Sequence, residues 1–287
     1  MSYRLNGGTS KALSWGPNGR RLVNAGDFVA DILVADLVAG PNSVQITATD
    51  SQGSQSTTVV TVDYQPTVPA LPFNVEWGGV ADITQVAHVV DGEWSTSSGR
   101  LRTTAIGYDR LVALGDRSMT DYEVTVPVTV HSFSANPGPN SGDPAVGILM
   151  RWNGHNDTVT PGSQPQQGWT PDGVNDTPFG AYALYRARSS SPRLELRDHR
   201  ASIKGTQGVT LQPGTTYVFK VRADANPGSG ATTYSFKAWA ASDPEPAGWT
   251  LQFTAGTSDD QPASGSVVLL AHEADVSFGD VTVTPVP

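Results

Sequence analysis

Residues 146–155 read Val-Gly-Ile-Leu-Met-Arg-Trp-Asn-Gly-His. The alternation places Val146, Ile148, Met150 and Trp152 on one face of a strand, with Leu149 and Arg151 on the other. Asn153-Gly154 then turns the chain. The first face has the composition of a sandwich core. The second sets Arg151 near a strand end, beside a long polar loop over 153–178 that holds His155, Asp157, Trp169 and Asp172. Loops of that length are usually functional or mobile.

The same period recurs outward from this stretch. Residues 122–132 put Tyr122, Val124, Val126, Val128 and Val130 on one face, with Pro127 on the other. Proline cannot donate to a ladder, so this strand is expected at an edge or bulged at Pro127. Residues 181–186 oppose Tyr182, Leu184 and Arg186 to Ala181, Ala183 and Tyr185. Further strands are expected over 193–198, 208–211, 216–223, 233–240, 266–272 and 276–284. The 30 glycines and 21 prolines fall between these runs as turn punctuation, and no amphipathic helical stretch of useful length appears. That pattern predicts an all-β chain built of sandwiches.

Two domains are expected. Residues 43–49 alternate Val44, Ile46 and Ala48 inward, 50–55 is a polar hairpin connection, and 56–64 returns as a strand. The segment Gln65-Pro-Thr-Val-Pro-Ala-Leu-Pro72 reads as a stiff, extended linker. The boundaries are therefore a first module at 1–66, a proline-rich linker at 67–72 and a large domain at 73–287.

In the first module, Tyr3-Arg-Leu-Asn-Gly-Gly, Leu37-Val-Ala-Gly-Pro-Asn-Ser-Val, Ala48-Thr-Asp-Ser-Gln-Gly and Thr58-Val-Val-Thr-Val resemble the second half of bacterial immunoglobulin-like modules. Two opening strands of that pattern are missing, so the module is expected to be incomplete. Asp121-Tyr-Glu-Val-Thr-Val, Gly147-Ile-Leu-Met-Arg-Trp, Ala181-Tyr-Ala-Leu-Tyr, Gly214-Thr-Thr-Tyr-Val-Phe-Lys-Val-Arg and Val276-Ser-Phe-Gly-Asp-Val-Thr-Val carry a second resemblance. They are similar to the concanavalin A-like, laminin G-like jelly-roll family, over about residues 73–287. This resemblance implies a two-sheet sandwich. It leaves function broad, because the family spans lectins, glycosidases, lyases and adhesion modules.

Charge narrows the partners. A net charge of −9 argues against general binding to nucleic acid or to anionic membranes, which takes a broad cationic surface. No stretch is long and apolar enough to insert in a bilayer. The absence of cysteine excludes disulfides and thiolate metal sites. Met1-Ser2 leads straight into a strand-like segment, so no signal peptide is expected in this sequence. Arginine outnumbers lysine, and five arginines (186, 188, 193, 197 and 200) fall within 186–200. With Glu195 and Asp198 this stretch carries five positive and two negative charges, or +3, in an acidic chain.

A retaining glycosidase needs two carboxyls close together on one strand, and no strand carries that spacing. A polysaccharide lyase, the leading enzymatic alternative, needs a base beside a group that neutralises a uronate. Arg151, His131, His155, Tyr182 and Tyr185 are its candidates. Glycan binding needs aromatic faces for sugar rings and arginine for carboxylate or sulfate. The expected function is accordingly a non-catalytic, extracellular or cell-surface carbohydrate-binding module for an acidic polysaccharide. Its site is expected at Arg151, His155, Trp169, Tyr182 and Arg186. A structural calcium would sit at a rim such as 153–157 or 91–93. A structural adhesion or filament subunit that self-associates is the third class the sequence allows.

Overall fold

The computed structural model describes every residue except 18–20, 23, 67–69, 139–140, 155–178, 189, 227, 257–258 and 260. The chain divides into two compact units, Met1–Val68 and Pro69–Pro287. Among the described residues no helix is long and apolar enough to cross a membrane.

The first unit comprises β1 (Ser2–Leu5), β2 (Lys11–Ala12), β3 (Ser14–Trp15), β4 (Phe28–Val29), β5 (Gly40–Thr49) and β6 (Gln55–Tyr64). One sheet runs β2-β1-β5-β6, and β3 pairs with β4. The turn between β5 and β6 is held by Asp50, whose Oδ1 accepts from the backbone N–H groups of Gln52 and Ser54. Val44 and Ile46 are buried with Tyr3 and Leu13, as their alternation requires. Register places Val60 opposite Val44 and Val62 opposite Asn42, so both valines lie on the core face of the sheet. Yet they are 46% and 37% exposed. The small core ends at β5, and β6 stands as an uncovered edge among the described residues.

The second unit begins with β7 (Phe73–Val75), β8 (His88–Asp91), β9 (Trp94–Ser95), β10 (Leu101–Thr103), β11 (Arg110–Leu114) and β12 (Tyr122–Phe133). It continues with β13 (Ala145–Trp152), β14 (Ala181–Arg186), β15 (Arg193–Asp198), β16 (Ile203–Gly208) and β17 (Thr216–Ala225). The last strands are β18 (Thr232–Ala240), β19 (Leu251–Ala255), β20 (Ser266–His272), β21 (Ala274–Phe278) and β22 (Val281–Pro285). They form a seven-stranded sheet, β16-β15-β14-β13-β20-β11-β8, and a nine-stranded sheet, β19-β18-β17-β12-β21-β10-β9 with β22 and β7 alongside.

The main core joins the two sheets. Tyr122, Val124, Val126, Val128 and Val130 of β12 meet Val146, Ile148 and Met150 of β13 there, with Phe219, Phe236 and Phe278. The seven-stranded sheet carries a second apolar cluster of Leu111, Leu149, Trp152, Tyr182, Leu184, Val268 and Leu270. With both faces apolar, every residue of β13 is buried.

Three expectations need correction. β12 is central rather than an edge, and its pairing with β17 runs unbroken across Pro127. Proline is accommodated because it lies at the seam where β12 exchanges β22 for β21, and its carbonyl accepts from Gly279 N–H. The stretch 276–284 is two strands, broken at Gly279-Asp280. That break is fastened by buried Trp77, whose indole N–H donates to the Gly279 carbonyl and whose backbone N–H donates to Asp280. Finally, a strand covers Ile203–Gly208 instead of 208–211.

Candidate functional site

The alternation on β13 breaks at Arg151. This residue adopts φ +54°, and pairing with β20 slips between Leu149 and Trp152. Such a bulge reverses the faces that follow it. Trp152 therefore joins Leu149 and Tyr182 in the second cluster, while Arg151 turns toward Tyr122 and Tyr234. The expectation that Arg151 faces away from the main core is corrected here: a left-handed backbone residue, rather than strict alternation, sets its direction.

Arg151 is 1% exposed. Its Nε and Nη2 donate to the Thr120 carbonyl, and its Nη1 to the Thr232 hydroxyl and the Pro262 carbonyl. Among the described residues, the carboxylate within ion-pair range is that of Asp121, 3.7 Å away. A guanidinium held this fully ties strand ends together and offers little to a ligand.

Across β14 and β15, register pairs Tyr182 with Arg197, Leu184 with Glu195, and Arg186 with Arg193. All six side chains thus share the face of the second cluster. Glu195 is wholly buried there. Arg193 donates through Nε (2.7 Å) to its Oε1, and Arg197 through Nε (2.7 Å) to its Oε2. The Nη2 groups of both arginines lie within 2.7 Å as well. Burial works against the Glu195 charge, but the bonds from Arg197 and Arg193 outweigh it and hold the carboxyl below the usual glutamate range.

Arg186 is the third cation around Glu195. Its Nε lies 3.6 Å from Oε2, too far for a hydrogen bond, and is buried without a hydrogen-bond partner among the described residues. Its Nη1 donates to the Asp143 carbonyl. Three arginines against one glutamate leave a local charge of +2. The three side chains keep 16–22% of their surface exposed. A cation-rich patch of this kind can receive a carboxylate or sulfate.

At the neighbouring end of the sheet, Ala145 of β13 lies between Arg186 and His272. The His272 Nδ1 is 2.7 Å from Asp109 and its Nε2 is 2.6 Å from the Ser141 carbonyl. With an acceptor at each nitrogen, the surroundings favour the protonated ring. Burial lowers its pKa, but Asp109 and the Ser141 carbonyl win and the net shift is upward. Asp109 and Glu273 beside it both have positive φ, and Ser141 donates to Glu273. His272 was not singled out in the sequence. Its burial partner is 163 residues away in the chain, so no local spacing signals it.

Of the expected site residues, Tyr182 and Arg186 share one sheet face. Arg151 is separated from them by side and, from Arg186, by most of the length of β13. Tyr182 is 5% exposed; its ring is engaged edge-on by Phe179, with the Arg197 guanidinium 6.0 Å from its centre. It supports the arginines and does not present an open stacking face. His155 and Trp169 lie outside the described residues. Sequence reasoning missed that Glu195 and Arg193 complete the cluster, although the arginine run from 186 to 200 was its signal. At the expected calcium rim 91–93, Asp91 is buried 3.6 Å from Arg110. Among the described residues no group of three or more acidic or histidine side chains is placed to hold a metal. The rim at 153–157 lies mostly outside the described residues.

The fold and this face define an all-β, two-sheet sandwich with a cationic cluster built around a buried carboxylate. No family model and no curated protein matches the chain. Among solved structures it is similar to a Lotus tetragonolobus seed lectin, at 11% identity and TM-score 0.47, covering 75% of this chain and 98% of that one. It is also similar to lectin II from Ulex europaeus, at 10% identity and TM-score 0.46, covering 76% and 99%. A third is the VIP36 exoplasmic/lumenal domain with Ca2+ and Man3GlcNAc bound, at 12% identity and TM-score 0.42, covering 71% and 86%. At such identities and scores these likenesses decide neither a ligand nor a site for this chain.

Proposed function

We propose that this chain is a non-catalytic carbohydrate-binding module of a secreted or cell-surface bacterial protein, and that it takes an acidic polysaccharide on the Arg186–Arg193–Arg197 face. The observation that carries this reading is the surplus of two positive charges around Glu195, in a protein of net charge −9. Glu195 orients Arg193 and Arg197, while Arg186 keeps a charge that no carboxylate within hydrogen-bond distance neutralises among the described residues. A uronate or sulfate bridging Arg186 would gain charge-assisted hydrogen bonds without reorganising the strands. In the same reading, residues 1–66 are an immunoglobulin-like module that precedes the binding domain in the chain. Its four-stranded sheet and its punctuation support that assignment.

The test is calorimetric titration of the full chain against oligogalacturonate, a sulfated oligosaccharide and a neutral cello-oligosaccharide, at low and high salt. The acidic ligands should bind, and more weakly at high salt. Arg186→Ala should weaken them by about 1.5–3 kcal/mol, the range for a charge-assisted hydrogen bond. Equal binding of acidic and neutral ligands, or unchanged affinity in Arg186→Ala, overturns the proposal.

A further inference from the structure

On the edge strand of the nine-stranded sheet, the sheet that does not carry Arg186, Arg193 and Arg197, Trp94 and Ser95 of β9 face a short 3-10 turn at Ile83–Gln85. Between them lies an open cleft of about 530 Å³, lined by Ala81, Asp82, Ile83, Trp94, Ser95 and Thr96. Its volume lies within the usual range for small-ligand sites, roughly 300–1,000 Å³.

The lining is already organised. Trp94 donates its indole N–H to the Asp91 carbonyl and packs against Phe278 at 6.1 Å, so the ring plane is fixed. Asp82 caps the turn, accepting from the Thr84 backbone N–H (2.9 Å) and hydroxyl (2.7 Å), both at Oδ1. Among the described residues Oδ2 has no partner, and those two bonds hold the carboxyl below the usual aspartate range. Thr96 donates its hydroxyl to the Val80 carbonyl, which leaves the oxygen's lone pairs to accept. Among the described lining residues Asp82 is the one charged group, and none is arginine or lysine.

We infer that this cleft is a second carbohydrate subsite, for a neutral sugar ring set against Trp94 with its hydroxyls donating to Asp82 and Thr96. An indole offers an apolar face to the C–H surface of a pyranose, and an ionised carboxylate is acceptor-only, matched to hydroxyl donors. The same carboxylate repels a uronate or sulfate. The chemistry is thus the reverse of that on the Arg186 face, and either site can fail without the other.

The test follows the indole N–H resonance of Trp94, assigned by its loss in Trp94→Phe, in the full chain. It is titrated with the methyl glycosides of glucose, galactose and mannose, and with glucuronate. At least one neutral glycoside should shift it saturably. Asp82→Asn, which keeps the acceptor for Thr84, should weaken that binding about tenfold, the loss of one charge-assisted hydrogen bond. Arg186→Ala should leave it unchanged. The inference is overturned if no neutral glycoside shifts the resonance, if glucuronate alone does so, or if Asp82→Asn binds as tightly as the wild type.

Discussion

The Tyr122 hydroxyl oxygen accepts a 2.6 Å hydrogen bond from the backbone N–H of Arg151, joining the start of β12 to the end of β13 across the main core. Tyr122 is completely buried, and its hydroxyl proton points to the Ser266 carbonyl. Burial pushes its ionisation well above the normal tyrosine range, so the hydroxyl stays neutral. This contact holds the bulge that decides which way Arg151 and Trp152 face.

Arg151→Ala should therefore act on stability. It strips donors from the Thr120 and Pro262 carbonyls and the Thr232 hydroxyl, and should cost about 3 kcal/mol. Urea denaturation of the full chain measures this. A loss within about 0.5 kcal/mol, the usual scatter of surface substitutions, would show that the guanidinium does not tie the strands together.

Glu195→Gln should lower stability and tighten binding at the same time. Removing the carboxylate leaves three guanidinium groups without their shared counter-charge, a change of about 3–5 kcal/mol when a buried ion pair is broken. The patch then carries +3 and should hold an acidic oligosaccharide more tightly than the wild type does. Calorimetry and thermal melting of the same sample read both effects. Weaker acidic binding in this variant would mean that the arginines need Glu195 more for position than they lose to it in charge.

The pH dependence separates two groups. Glu195 has a folded pKa below its unfolded value, so its contribution is present above the unfolded pKa and is lost as pH falls through the folded one. His272 has the opposite sign: its contribution is full below the unfolded value of 6.5 and is lost as pH rises through the raised folded value. The stability gap between wild type and His272→Gln should accordingly be wider at about pH 5.5 than at about pH 8.5. Urea midpoints at the two values decide it, and a gap that widens toward alkaline pH contradicts the imidazolium assignment.

Residues 1–68 expressed alone should unfold without a sharp transition. Among the described residues the buried apolar cluster of that unit is Tyr3, Leu13, Val44 and Ile46, and Val60 and Val62 on the core face of its sheet remain exposed. Domains this small with little buried apolar surface are marginal. Circular dichroism against temperature checks this, and a steep two-state melt would show that the β1–β6 core suffices by itself.

What the residues determine locally was legible. Strand alternation is a property of the backbone's two-residue period, so the buried set on β12, the opposed faces of β14 and the Asp50 hairpin could be read directly. The arginine run likewise announced the charged face on β14 and β15. Three features depended on residues distant in the chain. The bulge at Arg151 is locked by Tyr122 and by Gly265, where any Cβ would collide with the Arg151 backbone. The place of Pro127 was settled by where β21 ends and β22 begins, and the charge of His272 by Asp109 and Ser141. A period in one strand tells which side chains alternate. Only packing against other strands tells where that period is interrupted and which buried charge finds a partner, because those energies come from contacts between residues 29 to 163 apart in sequence.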